Sequence, residues 1–277
     1  MKMSSEEIQD YLQTAIDVAR KAGVVVREAF FKDKTLQTKS TYADLVTETD
    51  QEVERLIINS FKEKYPTHRF IGEESTADGH KIKWTDDPTW IIDPIDGTTN
   101  FVHKIPHTCI CIGLSVKKEM EVGVVYAPIL DQMFTAVRGK GAFCNGERMS
   151  VSGQTELGLA VIYLEGGNSR DSELLRKKCS IYQSVLQSSH GIRTLGSAAM
   201  NIINVAKGCG DAYVEYGIHI WDIAAAGIIL KEAGGVIVDP TGGPIDMLSR
   251  RVLVASSQNL ADQLSKAIPE HLEMERD

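Results

Sequence analysis

Near its beginning, the chain has apolar residues at the spacing of an α-helix. Apolar residues follow one another at steps of three and four, at Ile8, Leu12, Ala15, Ala19, Ala22, Val26 and Ala29. This spacing predicts one long helix over residues 4–31, and Ser4 with Glu7 matches a capping box at its start. A second helix is predicted to begin at Thr49 and to end before the next proline. The polar segment between them, residues 35–50, is predicted to be irregular.

From Phe70 onward the pattern changes to short runs of β-branched and aromatic residues. Strands are predicted at residues 70–72, 90–92, 109–116, 122–126, 133–137, 161–164, 212–215, 236–238 and 252–255. Helices are predicted at residues 172–187 and 222–233 and from Ser197 and Asn259. With no Pro/Ser-rich linker and no internal repeat, this order predicts one layered α/β domain over residues 1–277, with an N-terminal and a C-terminal αβ half.

The composition is that of a globular protein with an acidic balance. Among 277 residues, 43% are hydrophobic and 25% charged, and 38 Asp+Glu against 30 Lys+Arg leave a formal net charge of −8. Phosphate backbones and anionic lipid surfaces both attract clustered Lys and Arg, so neither a nucleic acid nor a membrane is expected as the partner. No apolar run reaches the roughly 18 residues of a membrane span, and no signal peptide is predicted.

The cysteines predict a reducing, cytoplasmic setting. Five cysteines are scattered along the chain, and only Cys109 and Cys111 lie close together. The spacing Cys-x-Cys within an apolar strand is not that of a zinc site. We therefore expect both side chains to lie on one face of a sheet as small hydrophobic groups.

The segment of residues 90–100 holds the most informative chemistry. An apolar run leads to Asp93, and Pro94 follows it. Because Pro94 has no backbone N–H, it cannot donate a hydrogen bond to a neighbouring strand. The break is expected to let Asp93, the Ile95 carbonyl and Asp96 converge, with Thr98 or Thr99 capping the helix that follows. Such oxygen ligands suit Mg²⁺. The alternative is that both aspartates are turn and cap residues only.

Further acidic residues stand at similar places in the pattern. Glu73 and Glu74 follow a predicted strand, and Asp222 stands at or near the start of a predicted helix. Taken singly, these are typical of a solvated face and of an N-cap. Taken together they predict a crowded group of carboxylates that needs two or three Mg²⁺ ions. Such a centre favours displacement at phosphorus by metal-activated water, with phosphate oxygens held by the amides of Gly97 and Thr98.

Three ordered motifs resemble those of the inositol monophosphatase family. They are residues 90–103 (WIIDPIDGTTNFVH), residues 221–235 (WDIAAAGIILKEAGG) and residues 72–75 (GEES). The resemblance covers nearly the whole chain. It implies a layered αβαβα sandwich of the type shared with fructose-1,6-bisphosphatase, a homodimer, inhibition by Li⁺, and Mg²⁺-dependent hydrolysis of myo-inositol monophosphates without a phosphoenzyme.

The same resemblance implies roles for individual residues. The implied metal ligands are Glu73, Asp93, the Ile95 carbonyl, Asp96 and Asp222. Glu73 and Thr98 would orient the attacking water. The implied substrate contacts are Asp96, Gly97, Thr98, Gly196, Ser197, Ala198, Glu215 and Asp222. Where the family commonly has serine, this chain has Asn168, which can still hydrogen-bond a hydroxyl group.

Other functions fit parts of the same pattern. A related lithium-sensitive phosphatase could act on a nucleotide 3′-phosphate or a sugar bisphosphate, substrates that need a larger pocket with aromatic or basic residues. A non-catalytic protein could bind metal or inositol phosphate, although it would not need Glu73 and Thr98 to position water. An aspartyl-phosphate mechanism needs aspartates on alternate positions, whereas Asp93 and Asp96 are three apart.

Overall fold

Two long helices form the N-terminal layer of the molecule. A computed structural model describes residues 4–32, 36–38, 45–77 and 82–277. Helix α1 (Ser5–Phe30) begins at the predicted capping box, in which Ser4 and Glu7 each accept from the other's backbone N–H. Helix α2 is Glu48–Lys64. The segment expected to be irregular contains a short antiparallel pair, β1 (Leu36–Thr38) and β2 (Leu45–Thr47), and residues 39–44 lie outside the described part.

The larger sheet has seven strands in the order β3-β4-β5-β6-β7-β8-β9. Its strands are β3 (Arg69–Gly72), β4 (Thr89–Asp96), β5 (Cys109–Val116), β6 (Glu119–Ala127), β7 (Gln132–Val137), β8 (Gly141–Cys144) and β9 (Glu147–Met149). Only β3 and β4 run parallel; the other neighbours are antiparallel. The short helices α3 (Glu73–Ala77) and α4 (Thr98–Val102) begin where β3 and β4 end.

The smaller sheet has five strands in the order β11-β10-β12-β14-β13. They are β10 (Val161–Leu164), β11 (Gly191–Arg193), β12 (Ala212–Tyr216), β13 (Val236–Val238) and β14 (Arg251–Ala255). The helices of this half are α5 (Ser172–Ser188), α6 (Ala198–Ala206), α7 (Ile220–Glu232) and α8 (Gln258–Ala267). A 3₁₀ turn at Leu157–Leu159 precedes β10.

The buried apolar side chains sort these elements into five layers. Along β5, Ile112 packs with the residues of α1 and α2, while Cys111 packs with α6 and α7. Along β14, Val254 packs with α6 and α7, while Leu253 packs with α5 and α8. Because successive side chains of a strand point to opposite faces, both sheets are buried on both sides. The layers are therefore helices, sheet, helices, sheet and helices, and the predicted αβαβα sandwich is confirmed.

Several local predictions near the acidic residues were wrong. The strand predicted at residues 90–92 runs on through Pro94 to Asp96, because a bulge accommodates the proline in the ladder. Neither Thr98 nor Thr99 caps α4, since the cap position is Gly97 with φ of 85°. Only glycine takes this left-handed conformation at low cost. Thr98 is instead the first residue of the helix.

The starts of two helices also differ from the sequence prediction. Helix α2 begins one residue earlier than predicted, because Thr47 takes the cap position and its N–H donates to Asp50 at 2.9 Å. Helix α7 begins at Ile220, so that Asp222 lies within its first turn and is not its cap. The short strands β8, β9 and β11 were not predicted from the sequence.

Candidate metal and substrate site

Three aspartates from two separate segments meet at one point. Asp93 and Asp96 lie on β4, Asp222 lies in the first turn of α7, and each offers a carboxylate oxygen within 4.8 Å of the other two. On a regular strand, residues three apart face opposite sides of the sheet. The bulge removes this difference, because Asp93 pairs with Cys111 and Asp96 pairs with Cys109, two residues further along β5.

Burial and mutual repulsion make this aspartate centre unfavourable when all its members are ionised. Asp93 is 1% exposed and Asp96 is 7% exposed. Burial is the largest cause that raises the pKa of Asp93 well above its ordinary value, and the negative charges of Glu73 and Asp96 add to it. Burial raises the pKa of Asp96 to about 6, against hydrogen bonds that lower it. Burial and the charge of Asp96 also raise the pKa of Asp222.

The surroundings of Asp96 hold its carboxylate in one orientation. The Ser197 hydroxyl and the Ala199 N–H both donate to its Oδ2 at 2.6 Å, and the Ala198 N–H donates to its Oδ1 at 3.3 Å. These donors stand at the start of α6, where unpaired backbone N–H groups favour an anion. The predicted substrate contacts Ser197 and Ala198 therefore also hold a carboxylate of the aspartate centre.

Glu73 opens α3 at the end of β3, beside the aspartate centre. Its negative charge raises the pKa of both Asp93 and Asp96. The helix start is held from α2 by Glu54, whose two oxygens accept from the N–H groups of Glu74 and Ser75 at 2.8 Å each. Sequence analysis missed Glu54. The signal was present, because its position continues the helical spacing of buried Ile57 and Phe61, where an acidic residue is unusual.

Thr98 is joined to a second buried acid that sequence analysis did not single out. Its hydroxyl lies 3.2 Å from Asp50 Oδ1 and 3.2 Å from the Ile95 carbonyl oxygen, both of which are acceptors. Asp50 is 1% exposed, and its other oxygen accepts from the N–H and the hydroxyl of Thr47. An acid at the third position of a helix is a usual capping signal, which by itself indicates no role in a site.

Two glycines bring the start of α4 against the loop before α6. A Cβ atom on Gly97 would lie 3.2 Å from the Gly196 carbonyl oxygen and 3.2 Å from Ser197 Cβ. Asn100 holds the same approach, since its amide donates to the carbonyl oxygens of His107 and Leu195 at 2.8 and 2.7 Å. The predicted phosphate-binding and ring-binding segments are therefore neighbours in space.

Glu215 ends up buried close to the loop of residues 166–168. The Tyr213 hydroxyl donates to its Oε2, and burial with the charge of Glu165 raises the pKa of Glu215 to about 8. A Cβ atom on Gly167 would lie 3.7 Å from Glu215 Oε1. The next residue, Asn168, is exposed in this loop.

Lys178 on α5 lies next to the same loop as Glu215. Its ammonium group donates to the carbonyl oxygens of Gly166 and Tyr216 at 2.8 and 2.9 Å, and burial lowers its pKa. The positive charge of Lys178 in turn lowers the pKa of Glu215. This lysine was also missed by sequence analysis, because nothing in the local pattern of α5 separates it from its neighbouring basic residues.

The arrangement is a polar, acidic group of side chains at the ends of strands from both sheets. In the part of the chain that the structure describes, no helix is both long and apolar enough to cross a membrane. Hard oxygen donors dominate this group of side chains, and such donors bind Mg²⁺, Ca²⁺ or Mn²⁺. A bound divalent ion would leave positions open for an anionic substrate.

Comparisons with known proteins agree with this chemistry. The sequence model of the inositol monophosphatase family matches residues 7–273. Inositol monophosphatase 1 of Bos taurus is 52% identical over 264 residues, covering 95% of this chain and 94% of the bovine one. The Homo sapiens protein of the same name is 51% identical with the same coverage. Among solved structures, a Thermotoga maritima IMPase superimposes with a TM-score of 0.83 at 32% identity, covering 94% of this chain and 96% of its own.

Proposed function

The chain belongs to the inositol monophosphatase family, and we propose that it hydrolyses myo-inositol monophosphates, myo-inositol 1-phosphate in particular, at the aspartate centre. It is a phosphatase, and its substrates are phosphomonoesters. One observation carries the assignment of the site: Asp93, Asp96 and Asp222 meet within 4.8 Å of one another, at a point where Glu73 adds its charge.

The residues of the aspartate centre fit a hard divalent cation. Asp93 and Asp96 are buried, Asp222 is half-buried, and neighbouring negative charges raise the pKa of all three. They therefore need a positive charge between them, and their oxygens are the ligands Mg²⁺ prefers. Members of the family use divalent metal ions. In the proposal two or three Mg²⁺ ions are held by Glu73, Asp93, the Ile95 carbonyl, Asp96 and Asp222. Li⁺, a small cation that also prefers oxygen ligands, inhibits by competing for the same donors.

The protein's own groups supply the positioning of the attacking water. Bound Mg²⁺ supplies a lowered water pKa and stabilisation of the leaving oxygen. The Thr98 hydroxyl faces two acceptors, Asp50 and the Ile95 carbonyl, so its proton points toward them. Its lone pairs are then free to accept a hydrogen bond from water. Glu73 and Thr98 together would orient that water in line with the scissile bond.

The surroundings of Asp96 support direct attack by water over an aspartyl-phosphate intermediate. Its two oxygens accept three hydrogen bonds from Ser197, Ala198 and Ala199, which leaves it poorly placed as a nucleophile. Asp93 is buried and accepts from the Ile95 N–H at 3.0 Å. We therefore place both aspartates among the metal ligands and not in covalent catalysis.

In the proposal the inositol ring lies between the loop before α6 and the end of β12. Gly97 and Thr98 hold phosphate oxygens through their N–H groups. The ring hydroxyls contact Gly196, Ser197, Ala198, Glu215, Asp222 and Asn168. Glu215 is supported in this role because it lies near the loop of residues 166–168 and is held by the Tyr213 hydroxyl.

A phosphate-release assay over a panel of phosphomonoesters tests the proposal. We expect Mg²⁺-dependent turnover of myo-inositol 1-phosphate to exceed that of adenosine 3′-phosphate and fructose 1,6-bisphosphate. A preference for either of those would favour the related lithium-sensitive phosphatases. Binding of inositol phosphate without release of phosphate would favour a non-catalytic protein and would overturn the assignment.

Assembly and location complete the proposal. We expect a homodimer, on the resemblance to the family, and light scattering of the purified protein measures it. We expect a cytoplasmic location, supported by the five cysteines, all of which are free thiols in the structure.

A further inference from the structure

Two thiols that take no part in the proposed reaction lie next to Asp96 of the aspartate centre. The Sγ atoms of Cys109 and Cys111 are 3.8 Å apart, and Cys109 Sγ lies 3.9 Å from Asp96 Oδ2. Each residue offers one ligand atom within 4.8 Å of the other two, and all three side chains are buried. Asp96 therefore belongs to two clusters of metal-binding donors, one of oxygen only and one containing two thiols.

The spacing of these atoms corresponds to the edges of a tetrahedral zinc site. With a Zn–S distance of about 2.3 Å, two sulfur ligands at tetrahedral corners lie about 3.8 Å apart. For one sulfur and one carboxylate oxygen the corresponding edge is about 3.6 Å. The distances of 3.8 and 3.9 Å between the donor atoms are close to both values. Mg²⁺ does not compete for such a site, because it prefers oxygen ligands.

The fold creates this group in a way that the local sequence does not indicate. Cys109 and Cys111 are two residues apart on β5 and so share one face of the sheet. The bulge in β4 places Asp96 opposite Cys109 on that same face. Cys-x-Cys alone offers two ligands, and the third donor comes from the neighbouring strand.

We propose that Asp96, Cys109 and Cys111 form a binding site for a thiophilic divalent cation of the zinc class, and that its occupation inhibits the enzyme. Binding forms two metal–sulfur bonds, breaks two S–H bonds and releases two protons to solvent. One carboxylate and two thiolates carry three negative charges, which the two positive charges of the cation reduce to a net charge of −1. Inhibition follows because Asp96 is shared, so that a cation on the thiol side withdraws it from the Mg²⁺ ligands.

The direct test leaves the buried pair unchanged. A variant with Cys144→Ser, Cys179→Ser and Cys209→Ser retains only Cys109 and Cys111 as thiols. We titrate this variant with Cd²⁺, a spectroscopic substitute for zinc, in buffer that contains excess Mg²⁺. The expected result is ultraviolet sulfur-to-cadmium charge-transfer absorption that saturates at one Cd²⁺ per chain. Absence of this absorption overturns the proposal.

Reciprocal variants show whether the absorption comes from the pair. Cys111→Ser replaces sulfur by oxygen at nearly the same volume, and Cys109→Ala/Cys111→Ala removes both thiols. We expect the absorption to weaken in the first and to disappear in the second. Both variants are made in the chain that already carries Cys144→Ser, Cys179→Ser and Cys209→Ser, and that chain is the matched control, which should retain the absorption in full. Unchanged absorption in Cys111→Ser excludes the pair as the site.

Inhibition by Zn²⁺ is the functional test, and this part rests on the proposed function. At fixed Mg²⁺, we expect the Zn²⁺ concentration that halves phosphate release to rise at least about tenfold in Cys111→Ser. Changing a residue that only supports a metal ligand already lowers metal affinity by about 10–100-fold, and Cys111 is itself a proposed ligand. Equal sensitivity of both proteins would place inhibitory zinc among the aspartates and overturn this role. If phosphate release were absent altogether, the proposed function would fail while the Cd²⁺ result still decided the binding site.

Discussion

The Thr98 hydroxyl donates to Asp50 Oδ1 at 3.2 Å, although 48 residues separate the two in sequence. This contact joins the first turn of α2 to the first residue of α4. In the proposed reaction it directs the threonine proton toward Asp50, so that the lone pairs of the hydroxyl can accept from the attacking water. Asp50 is thus a positioning residue for the proposed reaction, acting through Thr98.

Asp50→Asn tests this positioning role. The amide can still accept from Thr47 through one atom, but it loses the charge that orients the Thr98 hydroxyl. We expect kcat to fall by about 10²–10³-fold, within the range of a proton-handling group, with KM nearly unchanged. Steady-state kinetics of the pure variant measure both. Glu52→Gln, an exposed change on the same helix, is the control and should leave kcat within twofold, roughly, as surface substitutions do. A matching loss in the control would contradict the role.

Asp93→Asn separates activity from stability. Loss of a metal ligand should remove several kcal/mol of transition-state stabilisation, or about 10³-fold or more in turnover. Without metal, however, the variant should melt at a higher temperature than the parent. The reason is that a buried carboxylate repelled by Glu73 and Asp96 has been neutralised. Phosphate release and calorimetry in EDTA measure the two effects. Near-normal turnover would defeat the assignment of the site.

Glu54→Gln should weaken metal binding, although Glu54 is not one of the proposed metal ligands. Glu54 holds the start of α3 through the N–H groups of Glu74 and Ser75, and an amide can replace only one of its two acceptor oxygens. Because Glu73 is then less firmly placed, we expect the Mg²⁺ requirement to rise by about 10–100-fold. Activity is measured against Mg²⁺ concentration. Glu63→Gln, exposed on the same helix, serves as control and should not shift the curve.

The stability of the metal-free protein should fall as pH rises, in part through Glu215. Burial raises the pKa of Glu215 from 4.5 to about 8, so between these values the folded state binds more protons than the unfolded state. Its favourable contribution is present below pH 4.5 and is lost as pH rises through about 8. Glu215→Gln should flatten the dependence of melting temperature on pH in EDTA. An unchanged slope would show that Glu215 is ionised freely in the folded protein.

Hydrolysis of a phosphate ester made chiral at phosphorus should invert its configuration. Direct in-line attack by water gives a single inversion, whereas an aspartyl-phosphate intermediate gives two and hence retention. The configuration of the released phosphate measures the outcome. Retention would direct attention to Asp93 or Asp96 as a nucleophile and would reject the proposed mechanism.

The order of helices and strands could be predicted from the sequence because it depends on local patterns. Helix α1 follows from apolar residues at steps of three and four and from the pair Ser4 and Glu7. The strand Cys109–Val116 was predicted with its observed limits. One layered α/β domain was expected from the order of the elements, but the αβαβα order of its layers was expected only from the family resemblance, since periodicity does not say which faces of two sheets pack together.

The acidic residues could be identified from the sequence, but the distances between their carboxylates could not. That Asp93 and Asp96 share a face depends on a bulge in β4, and that Asp222 joins them depends on how α7 packs against the larger sheet. Asp50, Glu54 and the thiol pair beside Asp96 became meaningful only in three dimensions. Local spacing determines which side chains a helix or strand presents, while contacts between distant segments arise from burying several layers at once.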